Sequence, residues 1–328
     1  MNRHALAERI AQPPRHAPRP WWPPLRRLLT IVFLVAVAAL LITLARRVEW
    51  DEVWQVLAAY PLSTLAGAAA LAATSHLVYS SFDLLGRAWT GHHLPLRKVL
   101  AVTSVSYAFN LSFGTLVGGL GFRWRLYSRL GLGQGDISRI LALSLATNWL
   151  GYLLVAGVVF AAGVIVPPPG WDFSTGALRA AGGAMVLAAL AYLVICARAR
   201  RREWMLRGHE ISLPPARLAA LQLALSSLNW MLMGGMLWVL FQGRVEYPVV
   251  LATLLTAAIA GAMAHVPAGL GVLEAVFIAL LVPPLSRGEV LAALLAYRGL
   301  YYLTPLLLAS GVYLFLELQA HRAQATRG

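Results

Sequence analysis

Six apolar runs of spanning length, at about 28–45, 62–82, 140–166, 177–197, 216–241 and 291–316, constrain this chain more than any other feature of it. A helix needs about 20 apolar residues to cross the hydrocarbon core of a bilayer. Inside that core no water is available to the backbone, so each run must satisfy its own amide and carbonyl groups by forming a helix. The rest of the composition agrees: 59% of the residues are hydrophobic and 12% charged, and the mean hydropathy is +0.68. A polytopic membrane protein follows, with no stretch left over for a soluble domain of any size.

Two further apolar stretches, 99–122 and 249–283, are interrupted. The second contains Val266-Pro267-Ala268-Gly269-Leu270-Gly271 followed closely by Glu274, and the first contains Gly118-Gly119-Leu120-Gly121 followed by Arg123. Pro267 lacks a backbone donor, and Gly118, Gly119, Gly121, Gly269 and Gly271 weaken a helix. Such breaks survive at membrane depth only where protein or a polar cavity covers them. Charge counting orients the spans. If the N-terminus is cytoplasmic and both broken stretches are re-entrant, only Arg46, Arg47, Arg179, Arg244 and Arg287 fall outside and Arg298 lies within a helix, leaving 21 of the 27 basic residues on the cytoplasmic side. Making 99–122 a full crossing would instead carry Arg123, Arg125, Arg129 and Arg139 outward, against the positive-inside rule.

The expected architecture is therefore an all-α polytopic membrane protein with about six full spans and two re-entrant Gly/Pro-broken hairpins. A basic, proline-rich cytoplasmic tail over 1–27 precedes two half-repeats, 28–172 and 173–318, that meet near the outer turn Pro167-Pro168-Pro169-Gly170, and a short cytoplasmic tail covers 319–328. The halves start on opposite sides, which is the pattern of an inverted-topology repeat with its binding site where the broken segments meet.

Several chemistries find no support. The basic residues are scattered at the ends of apolar runs instead of forming a patch with stacking aromatics, which argues against nucleic acid. Cys196 is the only cysteine, and His76, His265 and the pair His92-His93 have no carboxylate cluster beside them, so no metal or other cofactor is expected. Neither a nucleophile-elbow spacing nor a Walker loop occurs, and no enzyme activity is expected. The glycines of 131–135 lack a preceding strand; they read as a turn that ends with Asp136 as the N-cap of the span near 140. Trp50, Trp54, Trp89 and Trp171 fall at proposed interfaces.

Ionisable residues inside spans are costly and are functional hypotheses by default. Glu274 and Arg298 are expected in the outer half of the membrane or near its midplane, close enough to pair, either as a structural clamp between the last span and the broken stretch or as a ligand site. Arg123 is either a phosphate ligand at the cytoplasmic mouth of a cavity or a positive-inside anchor. Asp83 stands beside Arg87, which predicts an interfacial salt bridge. Asn110, Asn148 and Asn229 predict interhelical hydrogen bonds. The small residues between Ala66 and Ala73 allow close packing, within the chain or across a homodimer.

Four segments together resemble the integral-membrane flippase-like domain of the lysylphosphatidylglycerol synthase and multiple-peptide-resistance proteins. They are Phe82-Asp83; Asn110-Leu111-Ser112-Phe113-Gly114 running through Gly118 to Leu132; Val266 to Glu274; and Tyr297-Arg298-Gly299-Leu300-Tyr301-Tyr302-Leu303-Thr304-Pro305-Leu306. Ala268 departs from the pattern, where relatives commonly carry glycine. The resemblance covers nearly all of 28–316. It implies a bacterial inner-membrane protein with both termini cytoplasmic that handles an anionic or aminoacylated phospholipid as a flippase or scramblase-like transporter, with Asp83, Arg123, Glu274, Arg298, Tyr301 and Tyr302 around the substrate. No soluble acyltransferase-like domain lies within the 328 residues, so synthase activity is not carried over. The alternatives are a non-transporting lipid-binding or assembly subunit for a lipid-modifying enzyme, or an intramembrane transferase on a lipid-linked substrate.

Overall fold

The computed structural model describes residues 50–165, 174–199, 202–206, 209–264, 266, 269–282, 284–311 and 313. The expected tails, the expected span 28–45, the turn at Pro167–Gly170, and His265, Pro267, Ala268 and Trp171 lie outside the described residues.

In chain order the helices are α1 (Trp50–Ala58), α2 (Leu62–Ser80), α3 (Phe82–Thr90), α4 (Leu96–Phe113), α5 (Phe122–Arg129), α6 (Gln134–Ala161), α7 (Thr175–Arg198), α8 (Ala216–Leu240), α9 (Tyr247–Ala264), α10 (Val272–Leu281) and α11 (Arg287–Arg298). Two π-helical turns, Thr115–Gly121 and Gly299–Leu303, join α4 to α5 and continue α11. The one departure from helix among the described elements is the two-stranded antiparallel ribbon β1 (Glu203–Leu206) and β2 (His209–Ser212) between α7 and α8.

Six of these segments are long and apolar enough to cross a membrane: 62–90, 134–161, 175–198, 216–240, 247–264 and 287–311. Five coincide with expected spans. The sixth, α9, is the first arm of the second broken stretch, so that stretch is unequal: an 18-residue arm and a 10-residue arm. At 1.5 Å per residue the arms are about 27 Å and 15 Å long, enough to cross and half enough.

The spans end where their sequences stop supporting helix. Pro61, Pro95 and Pro215 stand immediately before α2, α4 and α8, where a missing N–H costs nothing. Ser174 caps α7, its hydroxyl accepting the Ala177 N–H, and Ser286 with Glu289 forms a reciprocal cap on α11. α6 begins at Gln134 with Gly133 as its N-cap, so Asp136 is not the cap; it sits in the first turn, where its charge still complements the helix dipole. The 62–90 span is interrupted at Ser81, between α2 and α3. There the Ser80 hydroxyl donates to the His76 carbonyl and the Ser81 hydroxyl to that of Val78, local bonds that compete with the helical ladder.

The core forms where α2, α6, α8, α9, α10 and α11 converge. Trp230, Met233, Met236 and Leu237 of α8 pack there with Leu254 and Leu255 of α9, Phe277 of α10 and Tyr297 of α11. α7 lies against α6 with only Gly182, Ala189 and Cys196 buried. Gly182 brings the two backbones together: a Cβ there would stand 2.7 Å from the Gly157 carbonyl oxygen. Close backbone approach of this kind is how membrane helices gain packing energy without a hydrophobic driving force. α1 seats Glu52 on Gly288 and accepts a hydrogen bond from the Ser286 hydroxyl, which ties it to the start of α11.

Both interrupted stretches fold back on themselves. After Gly114 the first π-helical turn lies along α4, with Gly118 directly against the backbone of Phe109 and Asn110. The Phe109 and Phe122 rings stack at 4.2 Å and close the fold-back. The expected loss of helical hydrogen bonds is largely avoided, because the π-helical turn bonds i to i+5 and keeps its backbone groups paired. In the second stretch, α9 and α10 pack on each other across a turn in which Gly269 has φ +58 and Gly271 φ +78.

Candidate functional site

The charged residues singled out by membrane cost form two separate pairs. Asp83, in the first turn of α3, is fully buried, and Arg123, the second residue of α5, is 4% exposed. Arg123 Nη1 lies 3.4 Å from Asp83 Oδ1 and donates to the Ser144 hydroxyl at 2.7 Å, while the Tyr127 hydroxyl donates to Asp83 Oδ2 at 2.8 Å. This corrects the expected Asp83–Arg87 bridge. The fold-back after Gly114 brings Arg123 to Asp83 inside the protein, and Arg87 Nε donates to the Leu94 carbonyl instead. It also places Arg123 in the interior and not at an open mouth.

The second pair matches expectation. Arg298 Nε donates to Glu274 Oε1 at 2.8 Å and Nη2 to Oε2 at 3.3 Å, a two-point fork. Glu274 Oε2 also accepts the Gly271 N–H at 2.8 Å, and Arg298 Nη2 reaches the Gly269 carbonyl at 3.4 Å. The pair therefore grips the turn between α9 and α10 from both sides. Its side chains are 12% and 23% exposed, for Arg298 and Glu274 respectively, so it is the more accessible of the two.

A wall of tyrosines separates these pairs. The Arg123 guanidinium sits 5.5 Å from the centre of the Tyr79 ring, and that of Arg298 sits 5.6 Å from the centre of Tyr302. Tyr79 stacks on Tyr107 at 3.5 Å, and the hydroxyls of Tyr107 and Tyr301 are 2.8 Å apart. Tyr301 in turn meets the Ser75 hydroxyl, which donates to Asn229 Oδ1, each at 2.8 Å, and stacks on Tyr297. His76 packs against Tyr107 and Tyr301, with Nε2 3.1 Å from the Tyr301 carbonyl oxygen.

One face of this wall lines a cavity of 300 Å³ in which the two broken stretches meet. Asn110 and Thr115 come from the first break, and Gly261, Val266, Gly269 and Leu273 from the second. The floor carries Tyr79, Tyr107, Tyr297, Trp230 and Met233, all buried. The rim carries Leu145, Trp149, Thr115 and Ala262, all exposed. The cavity is thus aromatic and aliphatic inside, since Leu254, Ala257 and Leu273 line it beside the rings, with Asn110 and Asn148 as polar side chains, and mostly apolar at its opening. Among the described residues, none of the four paired charges lines it; Tyr302 does, and Tyr301 stands behind it.

The asparagines divide. Asn229 makes the expected interhelical bond, from Ser75 on α2 to α8. Asn148 receives Ser226 and Trp230 through its backbone carbonyl, and Asn110 Oδ1 is buried without a hydrogen-bond partner, so for these two the expected side-chain bond is not what the helices use. Sequence reasoning passed over Ser75, Tyr79, Tyr107, Trp149, Trp230 and Tyr297. Ser75 and Tyr79, like Tyr297 and Tyr301, stand four apart within apolar helices, a hydroxyl-bearing stripe on one face that was available to find them.

The family profile described as the lysylphosphatidylglycerol synthase TM region matches residues 29–309. The inner membrane protein YbhN of Escherichia coli strain K12 is 47% identical over 307 residues, 93% of this chain and 96% of its own length. The uncharacterized protein slr0712 of a Synechocystis strain is 31% identical over 278 residues, 84% of this chain and 86% of its own. The residues matched by the profile include both broken stretches and both ion pairs, and this chain, a multi-pass membrane protein, belongs to the lysylphosphatidylglycerol synthase transmembrane-region family.

Proposed function

We infer that this protein moves a glycerophospholipid between leaflets of the bacterial inner membrane, the head group passing through the cavity while the acyl chains stay in the bilayer. The observation that carries this reading is the cavity itself, where the two broken stretches meet, with tyrosine rings and two asparagines set in an otherwise apolar lining and with an exposed rim that is largely apolar. Its volume is at the small end of the range for ligand pockets, about 300–1,000 Å³, which suits a head group and not a whole lipid.

In this reading Arg298 is the phosphate ligand. It stacks on a tyrosine of the cavity wall and is the more exposed of the two paired arginines. A phosphate would take over part of the fork now given to Glu274, loosening the grip on the turn between α9 and α10, and departure of the lipid would restore it. Arg123, held by Asp83, Ser144 and Tyr79, keeps the first fold-back in place. The same reading makes both broken stretches re-entrant, the two halves an inverted repeat, and both termini cytoplasmic. It assigns no catalytic residue.

The test is movement of labelled phospholipid in vesicles reconstituted with the full chain. The wild type is expected to exceed protein-free vesicles, and Arg298→Ala and Glu274→Ala to slow movement by tenfold or more while still eluting as folded protein. Rates equal for all three proteins and no faster than protein-free vesicles would sink the transport reading. Tight lipid binding without exchange would assign the lipid-presenting alternative in its place.

A further inference from the structure

We propose that the mouth of the cavity binds the ester carbonyls of a diacyl lipid, so that the protein prefers ester-linked lipids to ether-linked ones whatever their head group. The inference rests on the lipid-handling reading above. With the head group in the cavity and the acyl chains in the bilayer, the glycerol esters that join them occupy the mouth.

The mouth lies deep in the membrane. α6 is 28 residues long, and at 1.5 Å per residue Asn148 stands about 21 Å from Gln134 and about 20 Å from Ala161. Wherever α6 spans a hydrocarbon core about 30 Å thick, Asn148 is well inside it. Trp149, the next residue, is 38% exposed on the rim, with Leu145 one turn before it. Ala262, across the mouth, is about 22 Å along α9 from Tyr247. The opening therefore faces hydrocarbon, sideways, and not water.

Bare polar groups at that depth are costly, and elsewhere on α6 they are used inside the protein. Ser144 accepts from Arg123, and Thr147 donates to the Leu143 carbonyl and accepts from Gln222 Nε2. At the mouth the pattern stops. Among the described residues, none makes a hydrogen bond with the Asn148 side-chain amide, the Trp149 indole N–H or the Thr115 hydroxyl. Asn148 is half-buried, and its amide atoms keep open surface, in contrast to Asn110 Oδ1. Tryptophan in membrane proteins is enriched at the interfaces, where its N–H meets water; Trp149 is at mid-span.

The Asn148 NH₂, the Trp149 N–H and the Thr115 O–H are donors, and all are uncharged. Acyl tails offer them nothing. An ester brings a carbonyl acceptor with no donor and no charge, so neutral donors suffice to offset its desolvation. An ether oxygen is the poorer acceptor. Phosphate, the other acceptor of such a lipid, carries a charge, and no ionised side chain among the described residues lines the cavity; in the reading above it belongs to Arg298.

Linkage preference is read separately from movement. Purified full-length protein is titrated with short-chain diester phosphatidylglycerol and with its diether analogue of equal chain length, thermal stabilisation being the readout. A long-chain pair carrying one head-group label is then followed between leaflets of reconstituted vesicles. The diester is expected to bind about fivefold or more tightly, the worth of one or two net hydrogen bonds. Trp149→Phe, which keeps a ring and removes the N–H, and Asn148→Leu should each weaken diester binding toward the diether level and leave diether binding unchanged. Equal or tighter binding of the diether by the wild type overturns the proposal. So do folded Trp149→Phe and Asn148→Leu proteins that keep the full preference. Movement of both lipids at one rate above protein-free vesicles, with equal affinities, sinks the ester assignment and leaves the transport reading standing. Binding with the stated preference but no movement does the reverse.

Discussion

At the scale of single residues, the cost of burying charge accounts for what Asp83, Arg123, Glu274 and Arg298 do. None can sit alone at membrane depth, and each has found the opposite charge on a different element. The two arrangements mirror each other in an informative way. Arg123 follows the first break by two residues and pairs with the 62–90 span; Glu274 follows the second by three and pairs with the 287–311 span. Each pair pins a fold-back to a long helix, with the sign of the charges exchanged. Removing one partner leaves an uncompensated buried charge, so Arg298→Met should lower stability by about 3–5 kcal/mol, and Glu274→Gln added to it should recover most of that loss. Thermal unfolding in detergent reads both, and full additivity of the two losses would show that the residues do not act as a pair. Both positions were recognisable from their hydrophobic surroundings. The partner of Asp83 was not, because Arg87 is the nearer cation along the chain and Arg123 is nearer only after the chain folds back past Gly114.

Elements obey a different constraint, the clearance between backbones. The first fold-back depends on Gly118, since a Cβ there would enter the backbone of Phe109 and Asn110, which has no freedom to yield inside a helix. Gly118→Val is therefore expected to abolish the stacking of Phe109 on Phe122 and to lower the yield of folded protein severely, whereas Gly133→Ala, with open space around it, should leave yield unchanged. Size-exclusion elution of the two variants checks this, and a well-folded Gly118→Val protein would refute the packing account. At the second break the constraint is torsional. Gly269 has open space but a left-handed φ of +58, a conformation that costs other residues about 1–2 kcal/mol. Glycine clusters in an apolar run marked both places, yet the two glycine roles differ and the sequence does not distinguish them. Nor does it specify that the first break closes as a π-helical turn, since that depends on how α5 is held to α4 by Phe109 and Phe122 and to α3 by the Asp83–Arg123 pair.

For the molecule as a whole, the topology that charge counting implies has a direct test. With Cys196 replaced by Ser, single cysteines at His93, Gly133 and Gly243 should label from the cytoplasmic, cytoplasmic and outer faces respectively. Opposite labelling of His93→Cys and Gly133→Cys would make 96–129 a net crossing and end the re-entrant reading of the first break. What the sequence by itself determined was the class of solvent, the helical character of the spans, the two points at which helices break, and which charges would be too costly to leave unpaired. All of these follow from composition along one chain segment at a time, through hydropathy, missing donors and the price of desolvation. Tertiary structure decided which charge meets which, that both breaks open onto one cavity, and that this cavity is walled by tyrosines with the charges standing behind it. Those facts depend on residues far apart in sequence: Tyr79 on α2, Tyr107 on α4, and Tyr297 and Tyr302 on and after α11 become neighbours only when the helices pack. Hydropathy is a local quantity and a cavity wall is not.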